Sequence, residues 1–240
     1  MKTASITIQM ASALLIGAIS FGTLGDQAEA QIIKRNPEKL ETRIGDHRLR
    51  FEQRQLRQGQ AIPAQVLANA KGIVIMHHFR AGFGVSADLG GGVAMVRKAD
   101  GKWCAPAFVS IGKGAIGPMV GADESVTILC LMTDESLRLL KGGGAGGAGV
   151  NLEAVAGPLD AGGDIGTVSA RQPVLVYSNA RGAFIGASLG GGALVGAKQR
   201  NAALYGLTME QILFGGNAKM TPAGEALAIS VDKAAGLWKE

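Results

Sequence analysis

Ala81-Gly-Phe83-Gly-Val85-Ser-Ala87-Asp-Leu89-Gly-Gly-Gly92-Val93-Ala-Met95-Val-Arg97 is the stretch whose reading decides the fold. Phe83, Val85, Ala87 and Leu89 alternate with small or polar residues, and Val93, Met95 and Arg97 resume the same alternation after three glycines. Residues two apart share one face of a strand, so this pattern predicts a sheet. The glycine triplet predicts a bend or hairpin between two strands. Asp100-Gly101 is a second hairpin signal, because glycine supplies the positive φ that a tight turn requires.

Working outward, Gly72-Ile-Val-Ile-Met76 reads as the strand before this stretch. Further strand-like runs follow at Ala107–Ile111, Ser125–Leu131, Asn151–Ala156, Pro173–Tyr177 and Ala183–Leu189. The segment Ala87-Asp-Leu89-Gly-Gly-Gly92 returns as Ala187-Ser-Leu189-Gly-Gly-Gly192, which suggests two equivalent bends in one sheet. Glycine inside strands marks bulges, tight coiling or close backbone approach, and such curvature closes sheets into barrels. Helix signals sit at both ends of the chain. Asn36-Pro37-Glu38 is a start signal, with a cap, a first-turn proline and an early acid. After Pro63 a short helix runs through Val66, Leu67 and Ala70, with Gly72 expected as its cap. Thr208-Met-Glu-Gln211 is a capping box. Thr221-Pro222 opens a last helix whose Leu227, Val231, Ala234 and Trp238 are expected to dock on the sheet. The fold class expected is α+β: a strongly curved, glycine-rich, mainly antiparallel sheet, barrel or half-barrel, with helices at the N- and C-terminal ends.

Composition fits that architecture. The 240 residues include 37 glycines and 7 prolines, and glycine runs at roughly twice its usual share of about 7%. Without a three-residue period this is not collagen. A hydrophobic fraction of 47% excludes disorder for want of apolar residues.

Residues 1–30 read as an export signal. Lys2 is followed by an uncharged apolar run from Ile6 to Phe21, and Ala28-Glu29-Ala30 is a cleavage pattern placing the cut after Ala30. The run is shorter than the ~20 residues of a spanning helix. The expectation is a periplasmic or extracellular protein, peripheral on membrane at most. Charge then falls unevenly. Residues 31–80 carry ten basic and four acidic side chains, whereas residues 81–240 carry 13 of each sign. Residues 31–58 read as a basic amphipathic helical arm, with Leu40, Ile44 and Phe51 forming an apolar stripe beside Leu49 and Leu56. Such a helix either lies on an anionic surface or packs its stripe on the domain. Nucleic acid is disfavoured by the lack of interleaved aromatics and by export.

Several chemical readings are weak. Cys104 and Cys130 either pair or remain buried thiols, and neither has a Cys or His at metal-ligand spacing. Gly144-Ala-Gly146-Gly-Ala-Gly149 has dinucleotide-loop spacing but follows a helix-like segment and precedes a strand-like one, the reverse of the required order. Asp88, Asp123, Glu124 and Asp160 lie near glycines, yet no nucleophile elbow accompanies them. His77 and His78, being adjacent in a strand, face opposite ways.

Ala70-Lys-Gly72-Ile-Val-Ile, Ala81-Gly-Phe83-Gly-Val85, Gly101-Lys-Trp103-Cys-Ala-Pro106, Arg181-Gly-Ala-Phe184-Ile-Gly-Ala-Ser188-Leu189 and Ala203-Leu-Tyr205-Gly206 with Gln211-Ile-Leu213 resemble the SYLF domain family in order and spacing. The likeness runs from about Ile62 to Leu227, within a domain expected over residues 59–240. It implies a membrane module: eukaryotic members bind phosphoinositides, a fungal branch bundles actin, and bacterial members are exported. Three positions depart from the family pattern. Ser188-Leu189-Gly190-Gly191 stands where the family usually reads Ser-Leu-Glu-Gly and so loses an acid, Met119 ends a Gly-Pro-Met in place of Gly-Gly-Gln, and Val126 replaces an acid. If those groups form a site in other members, it is altered here.

The function expected is non-catalytic binding of anionic, phosphoinositide-like head groups or a membrane surface. The residues expected to carry it are Lys34, Arg35, Arg43, Arg48, Arg50, Arg54 and Arg57, with Lys71 and Arg80 from the sheet side. No cofactor, metal or nucleic acid is expected, and no actin for an exported chain. The alternatives are a glycine-lined envelope carrier of an apolar small ligand, or a hydrolase using residues such as Asp123 or His78.

Overall fold

The computed structural model describes residues 37–83, 85–111, 120–141, 154–156, 172–178 and 194–238. Helix α1 (Pro37–Leu56) and the short α2 (Ala64–Asn69) precede strands β1 (Gly72–Phe83), β2 (Val85–Val96), β3 (Ala107–Ile111) and β4 (Val120–Leu131). A 3-10 turn at Ser136–Leu140 is followed by β5 (Ala154–Ala156), β6 (Val174–Ser178) and β7 (Leu194–Gly196). Helices α3 (Lys198–Tyr205), α4 (Met209–Phe214) and α5 (Pro222–Ala234) close the fold. The strands form one sheet in the order β5-β6-β4-β1-β2-β3-β7. Six of them run antiparallel to their neighbours, and only β5 joins parallel, on β6. Among the described residues the sheet is open, with β5 and β7 at its two ends. The α+β class, the glycine-rich antiparallel sheet and the terminal helices are as the sequence pattern predicts.

The glycine triplet does not bend the chain. Strand β2 passes straight through Gly90, Gly91 and Gly92, which pair with His78, His77 and Met76. Close approach explains them: a methyl on Gly92 would overlap the Ile75 carbonyl oxygen and lie 2.9 Å from Met76 Cα. On Gly90 it would strike the His78 ring, 2.7 Å from Nδ1. A turn residue and a residue with no room for Cβ look alike in sequence. The Asp100-Gly101 hairpin is present, with Gly101 at φ 80° and the Lys98 N–H donating to the Lys102 carbonyl over 2.8 Å. Gly72 is not a helix cap. Helix α2 ends at Ala70, and Gly72 opens β1, where its missing side chain leaves room for Leu137.

Strand alternation places Ile73, Ile75 and His77 on one face of β1 and Val74, Met76 and His78 on the other. Both faces are buried at the Ile73–Met76 end, as a sheet covered on two sides requires. Cys104 and Cys130 are both free and buried. Helix α5 buries Leu227 and Val231, but its main neighbour is α1 rather than the sheet. Trp238 lies beyond the helix end and stays 43% exposed. Asp232 of α5 reaches the β2–β3 hairpin, accepting from Trp103 Nε1 at 2.9 Å and pairing with Arg97 Nη2 at 3.1 Å.

Candidate functional site

Helix α1 sorts its residues into three lines. Leu40, Ile44 and Phe51 are fully buried and hold the helix on the shared core. Glu41, Arg48 and Glu52 face α5: the Glu41 carboxylate accepts from the Ala223 N–H at 3.0 Å, and Glu52 Oε1 accepts from Ser230 Oγ at 2.5 Å and Arg48 Nη1 at 2.7 Å. The third line is Arg43, His47, Arg50 and Arg54, spaced by four, three and four and therefore on one side of the helix, with Arg57 just past its last residue.

That cationic line crosses the sheet strand by strand. His47 is flanked by His77 of β1, Arg200 of α3, Arg50 and Arg43, and Arg200 lies close to Gly91 of β2. Arg50 Nη1 donates to Glu124 Oε1 of β4 over 2.5 Å. Arg54 sits 5.9 Å above the Tyr177 ring of β6. Between α1 and β4 is a cavity of about 290 Å³, lined by Arg50, Gln53, Arg54, Arg57, Gln60, Glu124 and Val126.

The electrostatics of the line are those of crowded cations. Burial first, and then the neighbouring arginines and His77, bring His47 down to about 4, so its ring is neutral near pH 7. Its Nδ1 is buried with no hydrogen-bond partner among the described residues. Burial also pulls the Arg54 guanidinium down from its usual value; its Nε, Gln60 Oε1 and the Tyr177 hydroxyl are likewise unpartnered there. The hydrogen bond from Arg50 is the main cause holding the Glu124 carboxyl below its ordinary range. Buried polar atoms are usually satisfied; of these, the Arg54 Nε–H and the Tyr177 hydroxyl can donate, and with the arginines that line the cavity they suit an acceptor such as an anionic oxygen. Oxyanions suit it because guanidinium donors are planar and paired.

The expected lipid-facing residues divide accordingly. Arg43, Arg50 and Arg54 come together on the line, with Arg57 just past it. Arg48 turns to α5, and Lys71 pairs with Asp134 beside the other end of β1. The backbone of Arg80 lies in β1, but its side chain, like Lys34 and Arg35, is outside the described residues. So are Met119, Gly191, Asp160, the Gly144–Gly149 loop and the repeat at Ala187–Gly192, and the side chains of Asp88 and Asp123. His47, His77, Arg200 and Glu124 were not among the expected binding residues. The spacing of His47 within the arginine line is legible once α1 is drawn as a helix. The other three come from distant strands and α3. His77 and His78 do face opposite sides, His77 toward Glu124 and His78 against Gly90.

A family model described as "Ysc84: Las17-binding protein actin regulator" matches residues 112–234, slightly more than half of the chain. The chain belongs to the Ysc84 family. This is the SYLF family that the sequence motifs resemble. Protein YSC84 of Saccharomyces cerevisiae is 35% identical over 176 residues, covering 70% of this chain and 37% of that protein. Human SH3 domain-containing YSC84-like protein 1 is 34% identical over 172 residues, covering 70% of this chain and 50% of that protein. LAS seventeen-binding protein 3 of S. cerevisiae is 34% identical over 164 residues, 65% of this chain and 35% of that protein. The chain thus spans half or less of the length of these relatives. No solved structure matches it. The Ysc84 description is one of binding and regulation, not catalysis, and it names actin, a partner that the sequence reading set aside.

Proposed function

We propose that this Ysc84-family chain is an exported, non-catalytic module that binds anionic lipid head groups or an anionic membrane surface along α1. The observation that carries this reading is the alignment of Arg43, His47, Arg50 and Arg54 on one side of α1 beside a cavity that Arg50, Arg54 and Arg57 line. Each Lys or Arg close to an anionic surface contributes about 1 kcal/mol to binding there. The described cavity is lined by charge, which favours an anion over the apolar cargo of a carrier. Export rests on the signal-like residues 1–30. An exported chain meets no actin, so actin regulation stays with the relatives in this reading.

The test is co-sedimentation with vesicles of phosphatidylglycerol in phosphatidylcholine, against phosphatidylcholine alone, over a salt series. Binding to the anionic vesicles only, weakening as salt screens the charges, is expected. Equal binding to both vesicles, or none at low salt, overturns it, and co-sedimentation with filamentous actin in a parallel arm would restore the partner named for the family. Deleting residues 31–58 is the wrong perturbation, because α1 contributes Leu40, Ile44 and Phe51 to the core.

A further inference from the structure

Among the described residues, Glu124 is the one carboxylate lining the cavity. Its Oε1 lies 2.5 Å from Arg50 Nη1 and 2.6 Å from His77 Nε2, so groups from α1 and β1 converge on a single oxygen. The side chain is 54% exposed, as a group that can leave must be, whereas Arg54 beneath is buried. The Arg50 nitrogen marks where an oxyanion oxygen would sit, and that place is filled from within; His77 Nε2 is close by but makes no hydrogen bond among the described residues.

We propose that Glu124 is a resident counter-ion that makes the α1 line selective for multivalent anions; this rests on the anion-binding reading above. A monovalent anion arriving at Arg50 and His77 exchanges one negative charge for another. It gains no contact that Glu124 did not already make, and the displaced carboxylate remains tethered by its strand close enough to repel it. A multivalent oxyanion, or an array of head groups, replaces Glu124 at Arg50 and also engages Arg54 and Arg57 across the cavity. Exposed ion pairs are weak in net terms, so displacement by such a ligand is permitted while idle occupation by small anions is suppressed. This is discrimination by an unfavourable element built against the wrong ligand. Val126, two residues on along the same face of β4, adds no second charge, so the filter depends on one residue.

The test uses the full chain and two soluble probes, orthophosphate and tripolyphosphate, beside the anionic vesicles, all at low salt and mildly acidic pH, where orthophosphate is mainly the monoanion. Glu124→Gln keeps the side-chain shape and removes the charge. It is expected to raise orthophosphate affinity about tenfold and tripolyphosphate affinity by about threefold or less. Glu135→Gln makes the same change in net charge just before the 3-10 segment, where the ion pair of Glu135 among the described residues is with nearby Arg138, and is expected to change neither. Arg50→Gln in the Glu124→Gln background should abolish the orthophosphate gain. Glu124→Asp, which shortens the reach to Arg50, should fall between wild type and Glu124→Gln. Equal gains for both probes, an equal gain in Glu135→Gln, or weaker binding in Glu124→Gln overturns the filter. Vesicle binding by the wild type with no change in probe selectivity rejects the filter alone. The predicted probe selectivity without vesicle binding rejects the surface reading alone. Absence of all binding by both proteins rejects both.

Discussion

The two flanks of α1 carry similar side chains and do different things with them. On the α5 flank every charge meets its match: Glu41 caps α5 through Ala223, and Glu52 takes both Arg48 and Ser230. On the sheet flank a histidine and three arginines follow one another, with Glu124 the carboxylate bonded to Arg50. The first flank is an interface between helices, and the second, richer in cations, is the one that binds anions in the function proposed above. Net basic composition says nothing about this division; the side of the helix on which each residue falls decides it.

The comparison breaks most severely if α1 itself is loosened. Phe51→Ala removes a fully buried ring and is expected to cost about 3–5 kcal/mol, read as a drop in the urea midpoint. An unchanged midpoint would mean that α1 is not part of the core and that neither flank is structural. The sheet flank is next. His47 is depressed to about 4, so between pH 6.5 and 4 the unfolded chain binds the proton and the folded chain does not. Its contribution is therefore full above pH 6.5 and is lost as pH falls toward 4, amounting to as much as about 3 kcal/mol. Thermal melting of His47→Gln should lack that part of the acid slope, and a parallel slope in variant and wild type would refute the crowding of cations around the ring. Neutralising two cavity arginines, Arg50→Gln with Arg57→Gln, should weaken anionic vesicle binding about 30-fold at low salt, whereas Arg48→Gln on the α5 flank should leave it within twofold of wild type. Equal losses from the two variants would erase the difference between the flanks. The smallest effect is Arg48→Gln on stability, about 0.2–0.5 kcal/mol, since its pair with Glu52 is half-exposed and four residues apart.

Much of this was readable from the chain. Alternation around Val93 and Met95 reveals the strand, the Thr208–Gln211 box appears with both of its reciprocal hydrogen bonds, and the arginine line follows from helical spacing. Two things were not readable, for definite reasons. Gly92 looks like a turn residue because sequence records a missing side chain and not what occupies its place, here the Ile75 carbonyl. Glu124 is 74 positions from Arg50, and only the pairing of β4 with β1 brings it beside His77. Likewise Asp232 joins Trp103 across 129 positions, so the Gly101-Lys-Trp103 motif reads as a signature while its physical role, anchoring α5, appears only in the fold.

The two thiols carry a consequence for where such a chain can mature. Burial raises Cys104 to about 11 and Cys130 to about 12. At neutral pH hardly one thiol in ten thousand is ionised at the first and fewer at the second, and the thiolate is the nucleophile that attacks an oxidant or a disulfide. Folding thus takes both free cysteines out of thiol chemistry, so the folded chain keeps them unpaired without depending on the redox poise around it.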